Sequence, residues 1–164
     1  MASPTRQALK DWLNSIEVKG KVLDVGGIAC PMRNQIIDKG ITEYKILDKV
    51  LYRKDVRTDY IYDLEHFIGP LDWLFDVAFC TEVMQFIYNP VRVLNNINSF
   101  LENEALLYIT FHLTQPPMKG EDYLRYTKKG VEKLLRKTKF HIEYIKEPIN
   151  GYYLVKAEVS RRYF

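Results

Sequence analysis

Short apolar runs alternate with amphipathic stretches along this chain, and each predicts an element. Ala8, Leu9, Trp12, Leu13 and Ile16 recur at helical spacing and predict a helix over 5–16, which Gly20 breaks. The β-branched run 21–26 predicts a buried strand. A short helix is expected over 33–39, stopped by Gly40. Strands follow at 44–48, 60–64 and 75–80, the last apolar except for Asp76. Pro90 suits a first helical turn, and Val91, Leu94, Ile97 and Leu101 share one face, predicting a helix over 90–101. A fifth strand is expected at 105–111, then a helix over 127–138 with Thr127 as N-cap. Runs 140–146 and 152–159 read as two closing strands joined through Asn150-Gly151, a strong turn signal.

Five strands in alternation with helices predict an α/β fold with a doubly wound, mostly parallel sheet. The short closing connection requires an antiparallel pair. The 164 residues fit a single domain, 1–164, with an N-terminal helical segment 1–20 and a core 21–159.

Composition changes this picture little. The chain carries 24 basic and 21 acidic residues, a formal net charge of +3, too mild and too dispersed to predict nucleic-acid binding. The lysines and arginines of 128–139 interleave with apolar residues and read as a solvated helix face. Two cysteines, Cys30 and Cys80, form no disulfide framework, and no Cys/His pair has zinc spacing. No signal segment or membrane-length apolar run is seen, so a cytoplasmic protein is expected, with no metal and no membrane partner.

In open α/β sheets, ligands bind beyond the carboxyl ends of the strands. Behind the first strand stand Gly26, Gly27 and Ile28, a corner where backbone can approach a ligand. Neither G-x-G-x-x-G nor a P-loop is present, which weighs against nicotinamide and nucleoside-triphosphate binding. Asp48 closes the second strand, where a carboxylate can accept both ribose hydroxyls of a nucleoside; a plain surface aspartate is the alternative. Asp63 and Leu64 end the third strand, suited to an exocyclic amine and a purine face. Cys80, Thr81 and Glu82 end the fourth, where Glu82 could equally favour a helix N-terminus.

Together these segments resemble the class I S-adenosylmethionine (SAM)-dependent methyltransferases, specifically the type 11 group, over 21–159. Val22-Leu23-Asp24-Val25-Gly26-Gly27 matches the first half of that family's (D/E)-x-G-x-G-x-G motif. Asp48 and Asp63 match its acidic positions. Phe75-Asp76-Val77 through Glu82-Val83-Met84 is similar to its F-D-x-V-x-x-x-E-V-L turn, and Asp122-Tyr123-Leu124-Arg125-Tyr126-Thr127 to its D-Y-x-R-x-T element. Ile28 and Cys30 replace later glycines of the first motif, and Gln85-Phe86 replaces a frequent Glu-His.

The resemblance implies a Rossmann-like seven-stranded sheet with the last strand antiparallel. It implies SAM as cofactor, held by Asp24, Gly26, Gly27, Ile28, Asp48, Asp63, Leu64, Cys80 and Thr81. His112 and Glu82 are the candidates for a catalytic base, His112 because its ordinary pKa lies near neutrality. Tyr123, Arg125 and Tyr126 are candidates for contact with a small polar acceptor such as a sugar, glycan precursor or other metabolite. Gln115-Pro116-Pro117 follows the fifth strand, not the fourth, so it is no DNA-methyltransferase element and a DNA substrate is not expected. The alternative is a non-catalytic, methyltransferase-like module. A homo-oligomer or partner subunit would then complete the site.

Overall fold

The computed structural model describes residues 4–29, 31–53, 55–66, 69–114, 116, 120, 122–149 and 151–160. Cys30, Gln115, Pro117 and Asn150 lie outside them. The elements are α1 (Pro4–Leu13), β1 (Glu17–Val25), β2 (Ile37–Asp48), a small hairpin β3 (Tyr52–Arg53) and β4 (Val56–Arg57), β5 (Tyr60–Ile61), β6 (Phe75–Cys80), α2 (Pro90–Ser99), β7 (Leu101–His112), α3 (Lys128–Lys137), β8 (Phe140–Ile149) and β9 (Tyr152–Val159). Seven strands form one sheet in the order β5-β2-β1-β6-β7-β9-β8. The pairs from β5 to β7 are parallel, and β9 runs antiparallel to both neighbours, as the closing-hairpin expectation required.

The sheet sorts its side chains by the two-residue period of a strand. On one face, Leu23, Ala78, Leu107 and Val155 pack beneath Val93, Leu94 and Ile97 of α2 and Val131 and Leu135 of α3. On the other, Val22, Val77, Phe79, Tyr108 and Leu154 pack against Trp12 and Leu13 of α1 and against Ile16. The helix caps follow from side-chain chemistry. Asn89 accepts from the backbone N–H of Arg92, with Pro90 in the first turn, and Thr127 accepts from Gly130.

The helix expected over 33–39 does not form. A 3-10 turn occupies Met32–Gln35, and the chain is already extended at Ile37. The cause lies in the partner strand, because β1 begins at Glu17, earlier than its apolar run suggests, and pairs Glu17 with Ile37 and Val18 with Asp38. Gly20 and Gly40 therefore end no element. Both sit inside strands with positive φ, and Gly20 coincides with register shifts in the β1–β2 ladder. Asp38 also accepts from the N–H groups of Gly40 and Ile41, a local bond that competes with helix formation. The third strand is shorter than expected, Tyr60–Ile61, and the fifth longer, Leu101–His112. Among the described residues no helix is long and apolar enough to cross a membrane.

Candidate cofactor and acceptor site

A cavity of about 310 Å³ opens at the carboxyl ends of β1, β2, β5 and β6. Of the residues singled out in the sequence, Gly26, Ile28, Asp48, Asp63, Leu64 and Glu82 line it. The parallel order puts these strand ends side by side, although they are as much as 56 residues apart (Gly26 to Glu82) in the chain. The wall also includes Lys49, Val50, Tyr62, Glu65, Val83, Phe86 and Ile87, which the sequence reading missed. Each adjoins a strand end or the turn after β6, so adjacency to Asp48, Asp63 and Glu82 was the available signal.

Gly26 turns the chain with φ +73° and donates its N–H to the Leu47 carbonyl. A Cβ there would overlap the Val83 side chain, so glycine is required both by backbone angle and by space. Gly27 answers to a different neighbour, because a Cβ on it would overlap the Asp24 carboxylate. Asp24 itself is buried and outside the cavity wall. Its Oδ2 accepts from the Met32 N–H and the Tyr44 hydroxyl, while Oδ1 has no hydrogen-bond partner among the described residues. Burial raises its pKa to about 6, partly opposed by the bonds from Tyr44 and Met32. Asp24 thus pins the helix-free connection between β1 and β2.

Asp48 accepts from the Val50 N–H. Asp63 accepts from the Glu65 N–H and pairs with exposed His66. Leu64 is buried against the core beside the cavity. Cys80 and Thr81 lie outside the wall. Burial pushes the Cys80 thiol up, and the Thr81 hydroxyl turns to the Met32 sulfur. Those two residues serve packing under the loop.

Glu82 has φ +58°, held by its N–H donating to the Thr110 hydroxyl at 2.8 Å. Its carboxylate accepts from the Tyr152 hydroxyl. Tyr152 stands opposite His112 in the β7–β9 register, with the two rings edge to face at 4.4 Å. His112 is 2% exposed, and neither ring nitrogen has a hydrogen-bond partner among the described residues. Burial lowers its pKa, so the ring is neutral at pH 7. The Gln85 side chain donates to the Glu82 carbonyl, and its own buried oxygen has no partner among the described residues.

The three acceptor-side candidates separate. Tyr126 is buried, donates its hydroxyl to the Met84 carbonyl and packs edge to face on Phe111, which makes it part of the core. Arg125 spends its guanidinium on Asp122, at 2.5 and 2.8 Å, and on the Pro116 carbonyl. Tyr123 remains exposed, against Tyr88. No group of residues with metal-binding composition occurs among the described residues.

No family model matches the chain, and no curated protein matches it in sequence. Solved structures do match. A chain of the complex between the Haloferax volcanii Trm112 methyltransferase activator and a methyltransferase superposes with TM-score 0.69 at 13% identity, over 96% of this chain and 89% of that one. The Burkholderia thailandensis 1,6-didemethyltoxoflavin-N1-methyltransferase, solved with S-adenosylhomocysteine, gives 0.70 at 16% identity, over 96% and 79%. The [4+2]-cyclase SpnF gives 0.68 at 14% identity, over 93% and 80%. The strand order, the antiparallel β9 and these superpositions give the chain the fold of the class I SAM-dependent methyltransferases.

Proposed function

We propose that the protein is a SAM-dependent methyltransferase acting on a small polar acceptor. The observation that carries this reading is the convergence of Gly26, Asp48, Asp63, Leu64 and Glu82 on one cavity at the carboxyl ends of the strands. Fold alone would not suffice, since a cyclase shares it.

The cavity suits the cofactor in size and chemistry. Its volume is at the small end of the roughly 300–1,000 Å³ of ligand sites. Asp48 would accept the ribose hydroxyls, Leu64 and Ile87 would cover the base, and Asp63 would face its exocyclic amine. Gly26 and Ile28 would border the methionine end. When bound, SAM supplies an electrophilic sulfonium methyl group. The chain's own work is then to position the acceptor, exclude water and accept a proton. Glu82, in the cavity wall and bonded by Tyr152, would take that proton, and His112, buried outside the wall, would support it through Tyr152.

Isothermal titration with SAM and S-adenosylhomocysteine tests this. Binding is expected for both, weakened about tenfold or more by Asp48→Ala, which removes charge-assisted bonds. Absence of heat with either ligand at millimolar concentration overturns the proposal.

One observation favours a second reading, a module completed by a partner or a second copy. Val50, Leu51, Ile61 and Tyr62 are exposed in or next to the cavity wall. Full methyl transfer by a strict monomer, seen by light scattering, would dismiss it.

A further inference from the structure

Tyr88 and Tyr123 are the most solvent-exposed aromatic pair packed on each other in the described structure, 76% and 48% exposed, yet they keep a defined geometry. Their centroids are 5.8 Å apart and their planes 79° apart, which makes a right-angled corner. The corner adjoins the cavity wall through the chain and its hydrogen bonds. Tyr88 follows Ile87, a wall residue, and precedes Asn89, whose N–H donates to the side chain of Glu65, another wall residue. Tyr123 is tied to the same turn, its N–H donating to the Gln85 carbonyl at 2.8 Å.

The charge of the cavity wall that this corner adjoins is one-sided. Asp48, Asp63, Glu65 and Glu82 line the cavity against Lys49 alone among the wall residues. Arg92 is near, donating to the Glu65 carbonyl, and Arg125 is neutralised by Asp122. An anionic acceptor would meet this field unfavourably. A cation would meet it favourably, and ring faces attract cations through their quadrupole.

We infer that the Tyr88–Tyr123 corner is the binding site for a cationic amine group of the acceptor, so that the substrate class is an amine and not a sugar or an acid. The inference rests on the methyltransferase reading for the word acceptor, and on geometry and charge for the word amine. Binding as an ammonium is followed by loss of one proton to the Glu82 carboxylate in the cavity wall. The freed nitrogen lone pair then forms the nitrogen–carbon bond while the methyl carbon–sulfur bond breaks. That electron pair stays on sulfur and S-adenosylhomocysteine departs.

The test is a binding measurement on the full chain with S-adenosylhomocysteine present, at constant ionic strength. Tyrosine ring signals are followed by NMR during titration with tetramethylammonium, methyl β-glucopyranoside or acetate. Tetramethylammonium is expected to bind about fivefold or more tighter than either other probe. Tyr88→Ala and Tyr123→Ala should each abolish that preference, and Tyr88→Phe should retain it, since the ring and not the hydroxyl carries the attraction. Both tyrosines are exposed, so these variants keep the fold, checked by circular dichroism. Equal or tighter binding of the glucoside or of acetate, no binding of tetramethylammonium, or a preference indifferent to both alanine variants, overturns the inference. If S-adenosylhomocysteine fails to bind, the same titrations on the free chain still decide the corner's preference, while the methyltransferase reading falls separately.

Discussion

The two halves of the sheet are built differently. In the half from β6 to β8 the connections β6–β7 and β7–β8 carry helices α2 and α3, and the central strands are largely buried: β6 at five of six positions and β7 from Ala105 to His112 at seven of eight. From β1 to β5 the connections are 3-10 turns and the β3–β4 hairpin, and in β2 only Ile46 and Leu47 are buried. The ligand cavity sits against the thin half, with β6 and the turn after it as its far wall. Stability is thus concentrated in one half, and the other is free to present backbone and carboxylates to a ligand.

The largest effect should come from cutting the thick half. Phe111 is fully buried in β7 and packs on Tyr126, so Phe111→Ala should cost about 3–5 kcal/mol. Ile41, half-buried in β2, should cost about 1 kcal/mol on the same substitution. Urea unfolding midpoints at unchanged slope measure both. Equal costs would mean that the thin half is as well packed as the thick one.

The same contrast explains what was legible in the sequence. The sheet, its antiparallel closure, the Thr127 cap and the span Phe75–Cys80 were readable because packed helices and strands impose strict periods on the chain. The 33–39 segment was misread because its polar-rich pattern is compatible with a helix, and what decides against one is pairing with residues 17 and 18. In the site, Asp48, Asp63 and Glu82 were legible as residues ending strands. Tyr152 was not, since Glu82 lies 70 residues away in sequence and the bond depends on β9 lying beside β7. Asp24 was legible as a special position, although its bonds go to Tyr44 and Met32 in the loop's interior.

Asp24 gives the second effect. Its folded-state pKa, about 6, lies above its ordinary value of 3.8, so the folded chain holds this proton more tightly than the unfolded one. The group's relative stabilisation is full below pH 3.8 and is lost as pH rises through 6. That rise corresponds to about 3 kcal/mol. His112, with a lowered pKa, acts in the opposite direction as pH falls. Asp24→Asn should therefore remove a loss of stability between pH 4 and pH 6.5, read as the difference between variant and parent in urea midpoints across that range. Parallel pH profiles for the two proteins would show that Asp24 does not titrate in the connection it pins.

The smallest effect compares two glycines in the paired strands of the thin half. Gly20 and Gly40 both have positive φ, +79° and +119°, so alanine is strained at either. Only their surroundings differ. A Cβ on Gly20 would overlap the Asp76 carboxylate, which accepts from the Lys21 N–H at 2.7 Å, while around a Cβ on Gly40 there is nothing within 4 Å. Gly40→Ala should thus cost the backbone term alone, about 1 kcal/mol, and Gly20→Ala about 1 kcal/mol more, because the buttress that Asp76 of β6 gives to β1 is displaced. Adding Asp76→Ala should erase that difference, since the overlap and the bond disappear together, and urea midpoints of the four variants close the cycle. A Gly40 cost equal to that of Gly20 would place the strain in the backbone of the bulge and leave Asp76 no part in it. The predicted inequality makes Asp76, the polar residue inside the apolar β6 run, the point where the thick half holds the thin half in register.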